Sequence, residues 1–341
     1  MNYPFLEMTL DGLRAAMAEL GRKPFRAEQL ADWVYRKGVT DPAEMSNLPA
    51  DAADGFDILT SRVVRRTDSP DGVTKLLLEL SDGEHVETAL IPARGRATAC
   101  LSTQVGCGMG CSFCATARDG LRRNMSASEI LQQVLHLRQA TGRAVTNAVF
   151  MGMGEPLANY DATVAAVRAL IDPQRFALSA RRVTVSTIGL PGKIRRLAKE
   201  GLPITLAISL HAPNDALRRQ LIPAAKATSI EDIVSAAQTF FRSRKREVTL
   251  EYVLLRGVND TGLCAEGLAR IAKGLRCNVN VIPYNPSESD VYERPSKAAT
   301  EDFAARLKRQ GVNVHVRRSR GLDAEAACGQ LRARTADENA S

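Results

Sequence analysis

Apolar positions in the first sixty residues recur at helical spacing. In residues 11–20 and 25–35 they fall three and four apart, and Gly21 and Gly38 follow as stops. The pattern then shortens. Residues 62–65, 75–80 and 85–91 read as strands, the first two joined across the turn-rich Asp68-Ser-Pro-Asp-Gly72. From residue 97 onward, short apolar strands (97–102, 144–150, 182–186, 204–209, 248–255, 279–283 and 312–316) alternate with amphipathic helices, among them 127–140, 160–171, 193–199, 230–241 and 298–310. Such alternation marks parallel βα units, so the predicted class is α/β. Six or so units make a full or partial barrel, whose chemistry belongs on loops at the C-terminal ends of strands. The predicted organisation is a helical accessory domain at 1–60, a small β extension at 61–96, a barrel domain at 97–331 and a disordered polar tail at 332–341.

With 341 residues, 45% of them hydrophobic, the chain can bury a sizeable core. It has no apolar run of bilayer-spanning length, and its first residues lack the basic start and apolar centre of a signal peptide, so a cytoplasmic location with no membrane contact is expected. Seven cysteines, three crowded into one loop, do not make a secreted disulfide framework. The net charge of +8 is uneven: residues 1–90 carry 10 Lys+Arg against 16 Asp+Glu, and residues 91–341 carry 36 against 22. The basic clusters of the second part include Arg122-Arg123, Arg181-Arg182, Arg195-Arg196, Arg218-Arg219, Arg242 to Arg246 and Arg317 to Arg320, together a footprint for a polyanion such as RNA. For any single pair, a solvated helix face is the plainer explanation.

The run Cys107-Gly-Met-Gly-Cys111-Ser-Phe113-Cys114 directly follows the first barrel strand. Three thiolates on one short loop can hold three irons of a [4Fe-4S] cube and leave the fourth without a protein ligand. A structural zinc site is the rival, but it normally wants four ligands in two separated pairs, and no second pair exists among Cys100, Cys264, Cys277 and Cys328. The aromatic Phe113 before the third cysteine fits the radical S-adenosylmethionine (SAM) signature. Met151-Gly-Met-Gly154-Glu155-Pro156, after the second strand, offers two glycines where backbone can approach a ligand closely. Taken alone, that segment equally suits an ordinary βα turn.

Five segments in order then resemble one family, the RlmN/Cfr radical SAM RNA (adenosine) methyltransferases. They are Cys100-Leu-Ser-Thr-Gln-Val-Gly-Cys107, Phe150-Met-Gly-Met-Gly-Glu-Pro-Leu157, Arg182-Val-Thr-Val-Ser186, Ser209-Leu-His211-Ala-Pro and Ala326-Ala-Cys328-Gly-Gln-Leu331. The resemblance runs from Pro24 to Leu331. It implies a radical SAM partial (β/α)6 barrel carrying a [4Fe-4S] cluster on Cys107, Cys111 and Cys114. It also implies two SAM molecules per turnover, bound by Gly154, Glu155, Ser186, Ser209, Leu210, His211 and Asn285. Cys328 matches the thiol that first takes a methyl group from SAM, Cys100 the thiol that later releases the RNA adduct by forming a disulfide, and Glu87 a proton acceptor.

The implied substrates are adenosines of 23S rRNA and tRNA, methylated at carbon 2, with the base lifted from its stack. A flavodoxin-type reductant and a monomeric enzyme are expected. The resemblance assigns RNA binding to the helical accessory domain, whose acidic balance leaves local contacts such as Arg22, Lys23 and Arg26. Methylation at carbon 8, as in Cfr-type resistance enzymes, uses the same cysteines; Pro156 after Glu155 matches the C2 branch, where the C8 enzymes carry Ala. A non-enzymatic iron-sulfur or zinc RNA-binding protein is the third reading, against which Cys328 and a second thiol at Cys100 argue. Leu322-Asp-Ala-Glu325 departs from the family's usual acidic-Ile-Asp pattern.

Overall fold

The computed structural model describes residues 2–287 and 291–333. The tail expected at 332–341 therefore lies outside the described residues from 334 onward. At the N-terminus, two short strands, β1 (Tyr3–Pro4) and β2 (Phe56–Asp57), pair in parallel and close off a helical unit. Helix α1 (Leu10–Glu19) starts where the Thr9 hydroxyl accepts the Gly12 N–H at 3.1 Å, and it buries Leu10, Leu13, Ala16 and Met17. Helix α2 (Arg26–Ala31) widens over Asp32–Lys37 into a π-type turn that ends at Gly38, φ 75°. The helix expected to run straight to Tyr35 thus unwinds late into the wider turn, and Tyr35 stacks on Phe5 (5.4 Å) and meets Phe176 of the barrel edge-on (5.0 Å). Tyr35 is core, as expected; Trp33 lies half-buried beneath Lys37 Nζ, 3.4 Å from its ring centre.

Three antiparallel strands follow, β3 (Arg62–Asp68), β4 (Thr74–Glu79) and β5 (His85–Ala93). They are continuous with the barrel: β5 pairs antiparallel with β6 (Arg96–Cys100) through the Ala89 and Cys100 register. A small hairpin, β7 (Gln104–Gly106) and β8 (Leu121–Asn124), brackets the cysteine loop. It is too short to show alternation, and Gly106, at φ 73°, turns the chain where a side chain would strike the Gly120 carbonyl.

Parallel strands β9 (Asn147–Phe150), β10 (Val183–Thr187), β11 (Thr205–Ser209), β12 (Val248–Leu254), β13 (Cys277–Pro283) and β14 (Val314–Val316) continue from β6 in that order. The crossovers are α3 (Ala127–Thr141), α4 (Tyr160–Ile171), α5 (Pro191–Lys199), α7 (Ile230–Arg244), α8 (Gly262–Lys273) and α9 (Lys297–Arg309), with the short α6 (Asp215–Leu221) inserted after β11. Among the described residues β14 does not pair with β6, so the seven parallel strands form an open barrel, and the meander β3–β5 extends its first edge.

Alternation along the strands sorts their side chains. On β12, Leu250, Tyr252 and Leu254 face the helical layer, where Tyr252 stacks on Phe303 of α9 at 5.5 Å, while Glu251 and Val253 face the barrel interior. Helix α3 begins with a reciprocal cap: Ser126 Oγ accepts the Glu129 N–H (3.1 Å), and Glu129 accepts the Ser126 N–H (2.8 Å). The accessory unit is fastened to the barrel by Arg138, which donates to the Tyr35 carbonyl at 3.3 Å, and by Glu7, which accepts the Ser128 N–H at 3.0 Å. Among the described residues no helix is long and apolar enough to cross a membrane.

Candidate active site

A cleft of about 930 Å³ opens at the C-terminal ends of the parallel strands. Cys107, Cys111 and Cys114 line it together with Gly154, Glu155, Ser186, Ser209, His211 and Cys328. Residues separated by more than two hundred positions thus share one wall.

The cysteine loop is anchored on three sides. On the hairpin side, the Cys107 N–H donates to the Gly120 carbonyl (2.7 Å). On the α6 side, Ser112 N–H reaches the Leu221 carbonyl (3.0 Å) and Ala224 N–H the Met109 carbonyl (3.3 Å). On the third side lies the C-terminal loop: Ala115 N–H donates to the Gly329 carbonyl (2.8 Å) and Thr116 Oγ1 to that of Leu331 (2.5 Å). The loop bearing Cys328 is thereby tied to the loop bearing the three cysteines. Burial pushes the Cys107 thiol up to about 12 and that of Cys111 well above the ordinary value, and neighbouring thiols add to both. Deprotonation then has to be coupled to metal binding. Among the described residues no three His, Cys, Asp or Glu side chains converge on a single ion, whereas a cube takes each thiolate on a different iron. Three cleft-facing thiols, none in a disulfide, therefore fit the [4Fe-4S] group.

Opposite this loop, Gly152 and Gly154 leave room for the chain. A Cβ at Gly154, φ 97°, would lie 2.5 Å from Gln104 Cβ, and one at Gly152 2.7 Å from the Leu101 carbonyl carbon. Glu155 is buried, and its carboxylate braces the strand ends: Oε1 accepts the Leu157 N–H (2.9 Å) and Oε2 the Ile188 N–H (2.8 Å). Burial raises its pKa while those donors oppose the shift. Ser186 Oγ and Ser209 Oγ approach to 3.4 Å.

His211 sits in left-handed backbone geometry at φ 59°. Asn259 holds it there by donating to its carbonyl at 2.9 Å, and its Nδ1 accepts the Val253 N–H at 3.0 Å. Burial and the Arg218 charge depress the ring to about 3, so it is neutral near pH 7 and carries its proton on Nε2. The ring meets Phe113 edge-on at 4.9 Å, which couples the loop after β11 to the cysteine loop.

Four of the residues singled out in the sequence, Leu210, Asn285, Cys100 and Glu87, lie behind the cleft wall. Leu210 is in the core, its N–H on the Glu251 carbonyl (3.0 Å). Asn285 is buried, donates to the Cys328 carbonyl (3.2 Å) and accepts from Arg294 (3.1 Å). Cys100, at the end of β6, is buried; burial first and the neighbouring Cys328 second push its thiol up to about 12, while Arg317 pulls against them. Cys328 keeps exposed surface in the cleft although protein crowds it, and the same Arg317 opposes the rise of its thiol. The two thiols, 228 positions apart in sequence, are close enough to feel each other's charge.

Glu87 is 1% exposed and ion-paired to Lys75, Nζ to Oε1 at 2.9 Å, with Lys75 itself 8% exposed. Its other oxygen accepts the Arg332 N–H at 2.9 Å, and Arg332 also pairs with Asp119 (2.7 Å). Burial raises the Glu87 carboxyl, and Lys75 and the Arg332 N–H hold the rise back.

Sequence reasoning read Arg317 only as part of a basic cluster, and it passed over Lys75 and Glu251. The last lines the cleft from β12, accepts from Asn280 at 2.9 Å and faces Arg317 at 3.7 Å. A single Lys or Glu in a strand carries no signal of what it faces. The basic pair Arg218-Arg219 needs correction as a surface cluster: Arg218 is wholly buried, because it lies on the inner face of α6 under the cysteine loop.

A model of the Radical SAM superfamily matches residues 101–264, and one described as the ribosomal RNA large subunit methyltransferase N-terminal domain matches residues 3–52. A probable dual-specificity RNA methyltransferase RlmN from Thermosynechococcus vestitus is 44% identical over 94% of this chain and 95% of its own. The chain belongs to the RlmN family of radical SAM RNA methyltransferases. A protein of the same description from Thermotoga neapolitana is 42% identical over 96% of both chains. The crystal structure of a radical SAM methyltransferase from Sphaerobacter thermophilus superposes with a TM-score of 0.93 at 43% identity, covering 97% of this chain and all of that one. The chain is accordingly an RNA-methylating enzyme of the RlmN type. Membership of the superfamily brings with it a [4Fe-4S] cluster and SAM.

Proposed function

We propose that this enzyme methylates carbon 2 of adenosine in 23S rRNA and tRNA, with Cys328 as methyl carrier. The observation that carries the reading is that Cys328 lines the cleft beside the three cysteines while Cys100 lies buried at the end of β6 within reach of its charge, since methyl transfer and release need one thiol each. The relatives' description as dual-specificity RNA methyltransferases supports two RNA substrates.

Cys107, Cys111 and Cys114 hold the [4Fe-4S] cluster, which when bound supplies the electron for SAM cleavage. Gly154 admits SAM close to the backbone, Ser186 and Ser209 offer hydroxyls, and neutral His211 offers Nε2–H. Leu210 and Asn285 act from behind the wall, Asn285 by holding the Cys328 carbonyl. A first SAM gives its methyl to Cys328: the new bond joins the Cys328 sulfur to the methyl carbon, the methyl–sulfonium bond breaks, and the thiol proton leaves to solvent. Arg317 favours the thiolate that does this.

Once the S-methyl group of Cys328 has given a hydrogen atom to the 5'-deoxyadenosyl radical that SAM cleavage supplies, its carbon bonds to C2 of the base; the adduct then returns one electron to the cluster, and Glu87 takes the proton from C2. Its oxygens are covered by Lys75 and by the Arg332 N–H, so residues 325–332 have to shift before the base can reach it. Cys100, after losing its thiol proton, then attacks the Cys328 sulfur; the sulfur–carbon bond breaks, its electron pair stays on the carbon, which takes a proton to become the methyl group, and the disulfide left behind is reopened by an external reductant. A flavodoxin-type protein suits the supply of the electron to the cluster.

Anaerobic reconstitution followed by mass spectrometry of RNA digests tests the whole. The expected product is 2-methyladenosine in both RNAs. Finding 8-methyladenosine overturns the regiochemistry, and finding no methylated base with SAM left uncleaved overturns the reading altogether.

A further inference from the structure

Arg218 is the largest side chain in the protein with no measurable exposure. It projects from α6, the element on which the cysteine loop rests through the Ser112–Leu221 and Ala224–Met109 backbone bonds. One guanidinium nitrogen, Nη2, donates to the Ile188 carbonyl, and Ile188 lines the cleft with its N–H held by Glu155. The other two, Nε and Nη1, are buried and have no partner. Among the described residues no carboxylate forms an ion pair with it; the opposite charges that act on it are those of Cys111 and the more distant Asp215. A guanidinium cannot shed its proton in a protein. Burying it with two donors idle is therefore costly unless an anion completes the site.

Three thiolates around an oxidised cube carry net negative charge, which grows on reduction. We propose that Arg218 is a cationic donor to the cluster from behind the cysteine loop, its Nε and Nη1 hydrogens directed at the Cys111 sulfur once that thiol is a cluster ligand. The inference rests on the reading that Cys107, Cys111 and Cys114 hold a [4Fe-4S] cluster. Hydrogen bonds to the sulfurs and local charge both set cluster potential, so a buried cation here stabilises the reduced form. The Ile188 carbonyl keeps the guanidinium plane in place, and Glu155 keeps Ile188 in place, so the Gly154-Glu155 loop positions the donor.

The test uses the reconstituted enzyme labelled with ¹⁵N in its arginine guanidinium groups. Pulsed EPR of the reduced cluster should show a ¹⁵N coupling that Arg218→Met abolishes, and a redox titration should show about a tenfold fall in the equilibrium constant for one-electron reduction, 59 mV towards negative potential. Arg218→Lys, which keeps the charge, should recover most of that fall. A cluster signal without ¹⁵N coupling in the unmutated enzyme overturns the inference even if the Met variant does not fold. An unchanged potential with weakened SAM binding also overturns it and assigns the cation to the SAM carboxylate. Absence of any cluster signal after reconstitution would instead remove the reading beneath it.

Discussion

The two halves of the cleft are built in opposite ways. Cys107, Cys111 and Cys114 come from one short loop, pinned by a hairpin whose glycines permit its turns. The facing half draws Lys75 and Glu87 from the meander, Cys100 from the end of β6, Glu251 from β12 and Arg317 to Arg332 from the last segment. Spacing alone can specify the first, because few residues separate its parts. Only the topology specifies the second: the meander must add to the β6 edge, and the chain must return after β14 to cover Glu87. The contiguous half carries the radical SAM signature. On the proposed function, the assembled half holds the groups that decide what is done with the radical.

If that division is real, the halves should fail separately. Cys107→Ser is expected to lose most of the bound iron and with it both SAM cleavage and RNA methylation. Cys328→Ala is expected to keep its iron and give no methylated adenosine, a loss of more than about a thousandfold for removal of a covalent nucleophile. Iron analysis and RNA digests on the same preparations decide the matter. Methylation by Cys328→Ala would remove the methyl-carrier role, and iron loss in that variant would mean that the C-terminal loop also supports the cluster.

Cys100→Ala tests the assembled half from within. Its effect is a change of end point: methyl transfer to Cys328 and attachment to RNA should proceed, and release should stop. A protein–RNA adduct resistant to thiols, seen by denaturing electrophoresis and lost in the Cys100→Ala/Cys328→Ala double variant, is the expected result. Free methylated RNA at the unmutated rate would show that another thiol, or water, releases the product.

How legible each half was follows from the same contrast. The cysteine triplet, the glycines before Glu155 and the alternation of β10 to β12 announce themselves in the sequence, because each is a local geometric need. Arg218 looked like half of a surface pair, since an arginine beside another arginine on a seven-residue helix gives no sign of which one turns inward. Glu155, singled out for SAM, spends both oxygens on backbone donors, which no motif shows. Lys75 stands beside three leucines in the strand Thr74–Glu79, whose first five positions are buried on both faces. Period-two reasoning gave it no face to point to, and its partner is a register position on a different strand.

Lys75 also supplies the mildest test. In the folded enzyme burial raises the Glu87 carboxyl, and Lys75, 2.9 Å away, opposes that rise. Lys75→Met removes the opposing cation, so the Glu87 pKa should climb further. If Glu87 is the base, methylation needs it ionised, and the acid limb of the rate–pH profile should move to higher pH in the variant. The stability signs agree. A carboxyl whose folded pKa exceeds its unfolded value contributes stability that is complete below the unfolded pKa and is lost as pH rises through the folded one. The loss should be greater in Lys75→Met, where an ionised Glu87 has no partner. Breaking such a buried pair costs about 3–5 kcal/mol, so denaturant titrations should show the deficit at neutral pH and a narrower one in mild acid. Adding Glu87→Gln should restore stability without restoring activity. An acid limb unchanged by Lys75→Met would separate Glu87 from proton transfer and leave it as the latch that holds Arg332 and, through it, the Cys328 loop.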